Sequence, residues 1–197
     1  MDKIHLKWPG KADSDKAIVE EIEKQTDRAT ALIATAYLEE RLVMAIKARL
    51  NHHEEIENRL FKGAGPLASF SSKIDLGFLL GLYDPGEYQH LHIIREIRNE
   101  FAHKPEPRDF YFQRIFDLCK NINVQVNIDL RHEETKTDWN FKTVADGTPR
   151  TAFLNAVRLL LLHLDIETKK TPLRKPALPV MRGMPKGIKH APLIKKS

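Results

Sequence analysis

A single cysteine, Cys119, occurs in 197 residues, which excludes an internal disulfide framework and any zinc site built from several thiolates. It follows Phe116-Asp117-Leu118, an apolar context in which burial is the expectation rather than reactivity. No apolar run approaches the roughly 20 residues that a bilayer-spanning helix needs. The opening stretch MDKIHLKWPGK has no apolar core of a secretory leader. These absences lead to the expectation of a cytoplasmic protein without membrane contact. The turn Gly63-Ala64-Gly65-Pro66 is not followed by Lys-Ser or Lys-Thr, which argues against a nucleotide phosphate loop. The adjacent His52 and His53 have no regular spacing to further ligands, so they read as capping or plain exposure at a helix end. No metal and no cofactor is expected.

Acidic residues are absent from 169–197, whereas Lys169, Lys170, Arg174, Lys175, Arg182, Lys186, Lys189, Lys195 and Lys196 all fall there. The formal net charge of +5 is therefore an average over two unlike parts, because the rest of the chain is acidic on balance. Pro172, Pro176, Pro179, Pro185 and Pro192 disfavour a regular helix in this segment. A cationic arm of this kind meets phosphates of RNA or DNA, or an acidic partner. It equally suits a solvated terminus or a strap over a neighbouring subunit.

The rest of the chain has the length and the 42% hydrophobic content of one cored domain. The expected organisation is an N-terminal arm over 1–13, a helical domain over 14–168 and the basic tail over 169–197. The first helix is expected to begin near Ser14 or Asp15. From Asp27, the residues Ala29, Leu32, Ile33, Ala36, Tyr37, Val43, Ile46 and Leu50 recur at three and four, the spacing of a long amphipathic helix. Glu39 and Glu40 sit at the edge of that stripe, where one would need a cation from a partner helix; Arg98 is the candidate. Further helices are expected around Glu54 to Phe61, from Leu67 to Leu82, from about Gly86 to His103, over Asp109 to Lys120, and from about Pro149 to Thr168. The last is apolar on more than one face, which places it in the core or at a subunit interface.

Two stretches depart from this pattern. Asp84-Pro85-Gly86 reads as a turn. Residues 121–130 alternate polar and apolar side chains, the period of a half-buried strand. Trp139 to Val144 is the nearest partner, so 122–144 forms either a short hairpin or an extended connector. The fold class expected is all-α, a compact helical bundle with this one excursion.

The stretch Arg98-Asn99-Glu100-Phe101-Ala102-His103 carries the most chemistry. Asn99 and His103 lie four apart on one helix face, and Arg98 sits about 140° round from His103. An imidazole titrating near neutrality can move a proton, and a guanidinium can hold a phosphate through two hydrogen bonds. The set suits RNA cleavage. It equally suits a structural role, with Arg98 paired to Glu39 or Glu40 and Asn99 and His103 closing the helix end.

From Asp27-Arg28-Ala29 and Ala36-Tyr37-Leu38-Glu39, through Gly65-Pro66-Leu67-Ala68-Ser69-Phe70-Ser71-Ser72-Lys73-Ile74 and Leu79-Leu80-Gly81-Leu82, to Ile94–His103, the sequence resembles the mannitol-operon-repressor family. The likeness covers about residues 20–165. It implies a compact helical bacterial protein of transcriptional regulation that lacks an ordinary helix-turn-helix, acting through a protein partner better than by reading bases. The helix ending at His103 also resembles the signature of the HEPN superfamily, a metal-independent RNase site formed across a homodimer. That resemblance implies His103 as general acid or base, Arg98 as stabiliser of phosphate charge and Asn99 as an orienting group. The motif continues Lys104-Pro105, without the tyrosine that HepT-type toxins carry two residues after the histidine.

Overall fold

The computed structural model describes residues 22, 24–103, 109–122 and 147–170. Among the described residues there are six helices and no strand, so the protein is an all-α bundle. The expected N-terminal arm, most of the alternating stretch 121–130, its partner at 139–144 and the tail beyond Lys170 lie outside the described residues.

Helix α1, Asp27–Arg49, starts where the Thr26 hydroxyl accepts from the Ala29 amide at 3.4 Å. This satisfies one of the donors that every helix start leaves open. Asp27 in its first turn and Lys47 and Arg49 in its last complement the helix dipole. The buried residues of α1 include Ala31, Ala34, Leu38, Leu42, Ala45 and Ile46. The stripe expected from the sequence is rotated relative to this one: Ala36 is exposed, and Leu32, Ile33 and Val43 are half-buried. The small side chains of Ala31, Ala34 and Ala45, which the expected stripe left out, let α3, α4 and α6 pack closely around α1.

Helix α2, Glu54–Phe61, is capped by His53, whose Nδ1 accepts from the Ile56 amide at 3.4 Å. The two histidines thus serve the start of this helix, not the end of the preceding one. Ser69 caps α3, Phe70–Leu79, accepting from the Ser72 amide at 3.0 Å. The end of α3 is locked by paired bonds, Gly81 N to Phe78 O at 2.9 Å and Leu82 N to Gly77 O at 3.1 Å. Gly81 adopts a φ of 66°, the left-handed conformation that this helix stop requires and that glycine takes without strain.

Asp84-Pro85-Gly86 opens α4, Pro85–His103, instead of forming a free-standing turn. Asp84 Oδ1 accepts from the Glu87 amide at 2.8 Å, and Glu87 Oε2 accepts from the Asp84 amide at 3.1 Å. This reciprocal cap, with proline in the first helical position, explains the early start. Leu91, Ile94, Ile97 and Phe101 are fully buried, in agreement with the apolar face expected for this helix. Helix α5, Gln113–Lys120, is shorter than its expected span because 109–112 forms a turn that sends Phe110 into the core. Phe110 there meets Phe101 at 5.1 Å and Phe153 at 5.3 Å between ring centroids.

Helix α6, Pro149–Lys170, packs on α1, α4 and α5. Phe153, Leu154, Ala156, Val157, Leu159, Leu160, Leu161 and Leu164 are all buried, which accounts for an apolar pattern wider than one face. Asp27 ties its start to α1: Arg150 Nη1 donates to one Asp27 oxygen at 2.5 Å, and the Phe110 amide donates to the other at 3.0 Å.

Candidate functional site

Burial of Ile97 and Phe101 fixes the rotation of the last two turns of α4. Arg98 and His103 are consequently exposed and Asn99 is half-buried. Arg98 Nη1 donates to Asn99 Oδ1 at 3.1 Å, so the Asn99 amide oxygen serves the arginine. His103 occupies the final helical position, open to solvent. Neighbouring Glu100 accepts from Arg114 Nε of α5 at 3.1 Å, and Glu96 lies 4.0 Å from the same guanidinium. Arg114 thereby offsets the acidic charge on the flank of the motif. No local pattern in the sequence marks Arg114 for this role.

The supporting carboxylates separate. Glu39 pairs with Lys73 of α3, whose ammonium also donates to the Ala68 carbonyl at 3.0 Å. Lys73 is buried, so it is this lysine, and not Arg98, that meets the need for a cation beside α1. Glu40 is exposed. Of the basic residues assigned to the tail, Lys169 and Lys170 belong to the last turn of α6, paired with Asp165 and with Glu167 at 2.9 Å. Arg174, Lys175, Arg182, Lys186, Lys189, Lys195 and Lys196 lie outside the described residues.

A second polar cluster joins the ends of three helices and was not legible in the sequence. His163 Nδ1 of α6 lies 2.6 Å from Glu87 Oε1, the residue that also caps α4. Glu167 lies 3.7 Å from the other imidazole nitrogen, and its second oxygen accepts from Arg49 of α1 at 2.7 Å. The hydrogen bond to Glu87 holds the His163 pKa above its ordinary value, against the opposing effect of burial. Burial pushes the Glu167 carboxyl up, but Lys170, His163 and Arg49 together bring it below its usual range. His90, nearby in sequence, is lowered by burial despite Glu87 and Asp84. A histidine inside a leucine-rich helix gave the only hint of this network.

His52 Nδ1 lies 2.8 Å from Glu57 Oε1, and Lys47 lies 3.1 Å from the other Glu57 oxygen. Among the described residues no group of three or more His, Cys, Asp or Glu is placed to hold a metal ion. No described helix is long and apolar enough to cross a membrane. Cys119 is buried, and burial pushes its thiol up to about 12.

The fold is thus an all-α bundle with an exposed Arg-Asn-x3-His helix end. Among solved structures, one similar to this chain is a chain of the X-ray structure of the MtlR-HPr complex from Escherichia coli. It is 18% identical, with a TM-score of 0.46, 80% of this chain covered and 98% of that chain. No family model and no curated protein matches.

Proposed function

We propose that this chain is a bacterial regulatory protein that acts by binding, through a protein partner or through nucleic acid contacted without base reading. The Arg98–Asn99 hydrogen bond at 3.1 Å carries this reading. A catalytic imidazole is held by a hydrogen-bonded orienting group, whereas the Asn99 amide oxygen accepts from Arg98 and no hydrogen bond joins Asn99 to His103. The resemblance of residues 20–165 to the mannitol-operon-repressor family supports the same reading. Arg98 and His103 remain open to solvent while Arg114 pairs with the neighbouring Glu100. Both are therefore available to a partner. A nucleic-acid contact through the basic tail would be strongly salt-dependent and nearly indifferent to sequence.

The second reading is a metal-independent endoribonuclease of the HEPN type, with Arg98, Asn99 and His103 of two copies lining a homodimer cleft. The exposure of Arg98 and His103 on one helix end favours it, since a site shared between copies needs both at the surface. Incubating the purified chain with single-stranded RNA in EDTA separates the two. Intact RNA, with DNA or RNA binding that falls steeply with salt or with capture of a specific protein, is the expected result. Cleavage that His103→Ala abolishes while the fold is retained would replace the binding reading by the enzymatic one.

A further inference from the structure

Charge on α4 is balanced on one side of the helix and in surplus on the other. On the side facing α5, Glu100 and Glu96 share Arg114. Where α3 packs on α4, Asp75 accepts from the Tyr88 hydroxyl at 2.9 Å and lies 3.6 Å from His92 Nε2. Glu39 is taken by Lys73. Each of these carboxylates has its own partner, and none of them pairs with Arg95. This residue sits one turn before Arg98, half-buried, with its Nε enclosed and donating to no described group. A buried N–H without an acceptor costs stability, and in a native structure such a group asks for a bound water or ion.

The helix sets Arg98 and Asn99 to either side of Arg95. At 100° per residue, Arg95 lies about 60° from Arg98 and about 40° from Asn99, within the arc between them. The bond from Arg98 Nη1 to Asn99 Oδ1 at 3.1 Å draws the Arg98 guanidinium across that arc. Asn99 uses its oxygen there, which leaves its amide nitrogen to donate. Ala102, exposed and seven residues beyond Arg95, falls in the same arc, and its methyl group leaves the space beside the two guanidiniums open. No Asp or Glu lies in the arc. The set therefore holds donors only, two cations whose β-carbons are about 5–6 Å apart and one neutral amide. A carboxylate or a phosphodiester brings one charge and leaves one cation unmatched. A phosphate monoester brings about two at neutral pH, with oxygens for both guanidinium forks.

We propose that Arg95 and Arg98, with the Asn99 amide nitrogen, form a site for a dianionic phosphate group, free or on a small monoester. The site rests on the binding reading above and gives the same helix end a small effector.

The test titrates the isotopically labelled full chain at neutral pH and constant ionic strength, following the arginine Nε–H resonances. The probes are phenyl phosphate, inorganic phosphate and, as a monoanion of similar shape, benzenesulfonate. The Arg95 signal, assigned by its loss in Arg95→Gln, is expected to shift with phosphate and to respond to it at least about tenfold more tightly than to benzenesulfonate. Tighter binding of phenyl phosphate than of inorganic phosphate assigns the site to an ester, and the reverse order assigns it to the free ion. In Arg98→Gln, checked for retained helicity, phosphate is expected to bind about tenfold more weakly at the Arg95 signal. No shift at Arg95, an equal response to phosphate and sulfonate, or unchanged affinity in Arg98→Gln overturns the proposal. Each of those results leaves the binding reading standing, since RNA cleavage, scored separately, is what replaces it.

Discussion

His163 of α6 lies 2.6 Å from Glu87 of α4, and because Glu87 also closes the first turn of α4, one imidazole joins a helix cap to the core helix of the bundle. Two helix ends are thereby coupled to one titration.

The folded pKa of His163 lies above its unfolded value of about 6.5. Its contribution to stability is therefore fully present below 6.5 and is lost as pH rises through the folded pKa. Denaturant melts of wild type and His163→Gln should differ by roughly 0.5–1 kcal/mol at pH 5.5 and converge toward pH 8.5. A constant gap across that range would contradict the assignment.

Lys73→Ala leaves the Glu39 carboxylate and the Ala68 carbonyl without their partner. The expected loss is about 2 kcal/mol. Arg98→Ala should change stability by less than about 0.5 kcal/mol, as for an exposed side chain outside the core. Equal losses in the two variants, by urea denaturation, would restore a structural role to Arg98.

A β-carbon on Gly77 would lie 2.4 Å from the Tyr83 hydroxyl oxygen, which donates to the Ile74 carbonyl. Gly77→Ala should therefore destabilise by about 1–3 kcal/mol, despite the higher helix propensity of alanine. In a Tyr83→Phe background the cost should shrink, since the nearest atom is gone. A double-mutant cycle measures the coupling, and strict additivity would refute it.

Burial pushes the Cys119 thiol up to about 12, and thiolate is the reactive form. Labelling by a thiol reagent at pH 8 should be at least about 100-fold slower in native protein than in denaturant. Fast native labelling would place Cys119 at the surface.

The helices around the motif were legible because their signals are local. The face Leu91, Ile94, Ile97 and Phe101 follows from spacing alone, and the end of α2 at Phe61 follows from the Gly63-Ala64-Gly65-Pro66 turn just beyond it. Asp84-Pro85-Gly86 misled because proline and glycine mark both turns and helix starts; Glu87, three residues beyond Asp84, was the deciding signal. In α1 the expected stripe took Ala29 and Ala36 and left out Ala31, Ala34 and Ala45, which are the buried alanines that define the axis of packing.

The sequence by itself determined an all-α bundle, the end of α4 at His103 and the presence of an Arg-Asn-x3-His set there. Only the tertiary structure decided the partners across helices: Lys73 for Glu39, Arg114 for Glu100 and His163 for Glu87. The physical reason is that periodicity fixes which residues share a helix face. Which charged side chain meets which across two helices depends on their relative rotation and crossing, and small changes in core packing decide those.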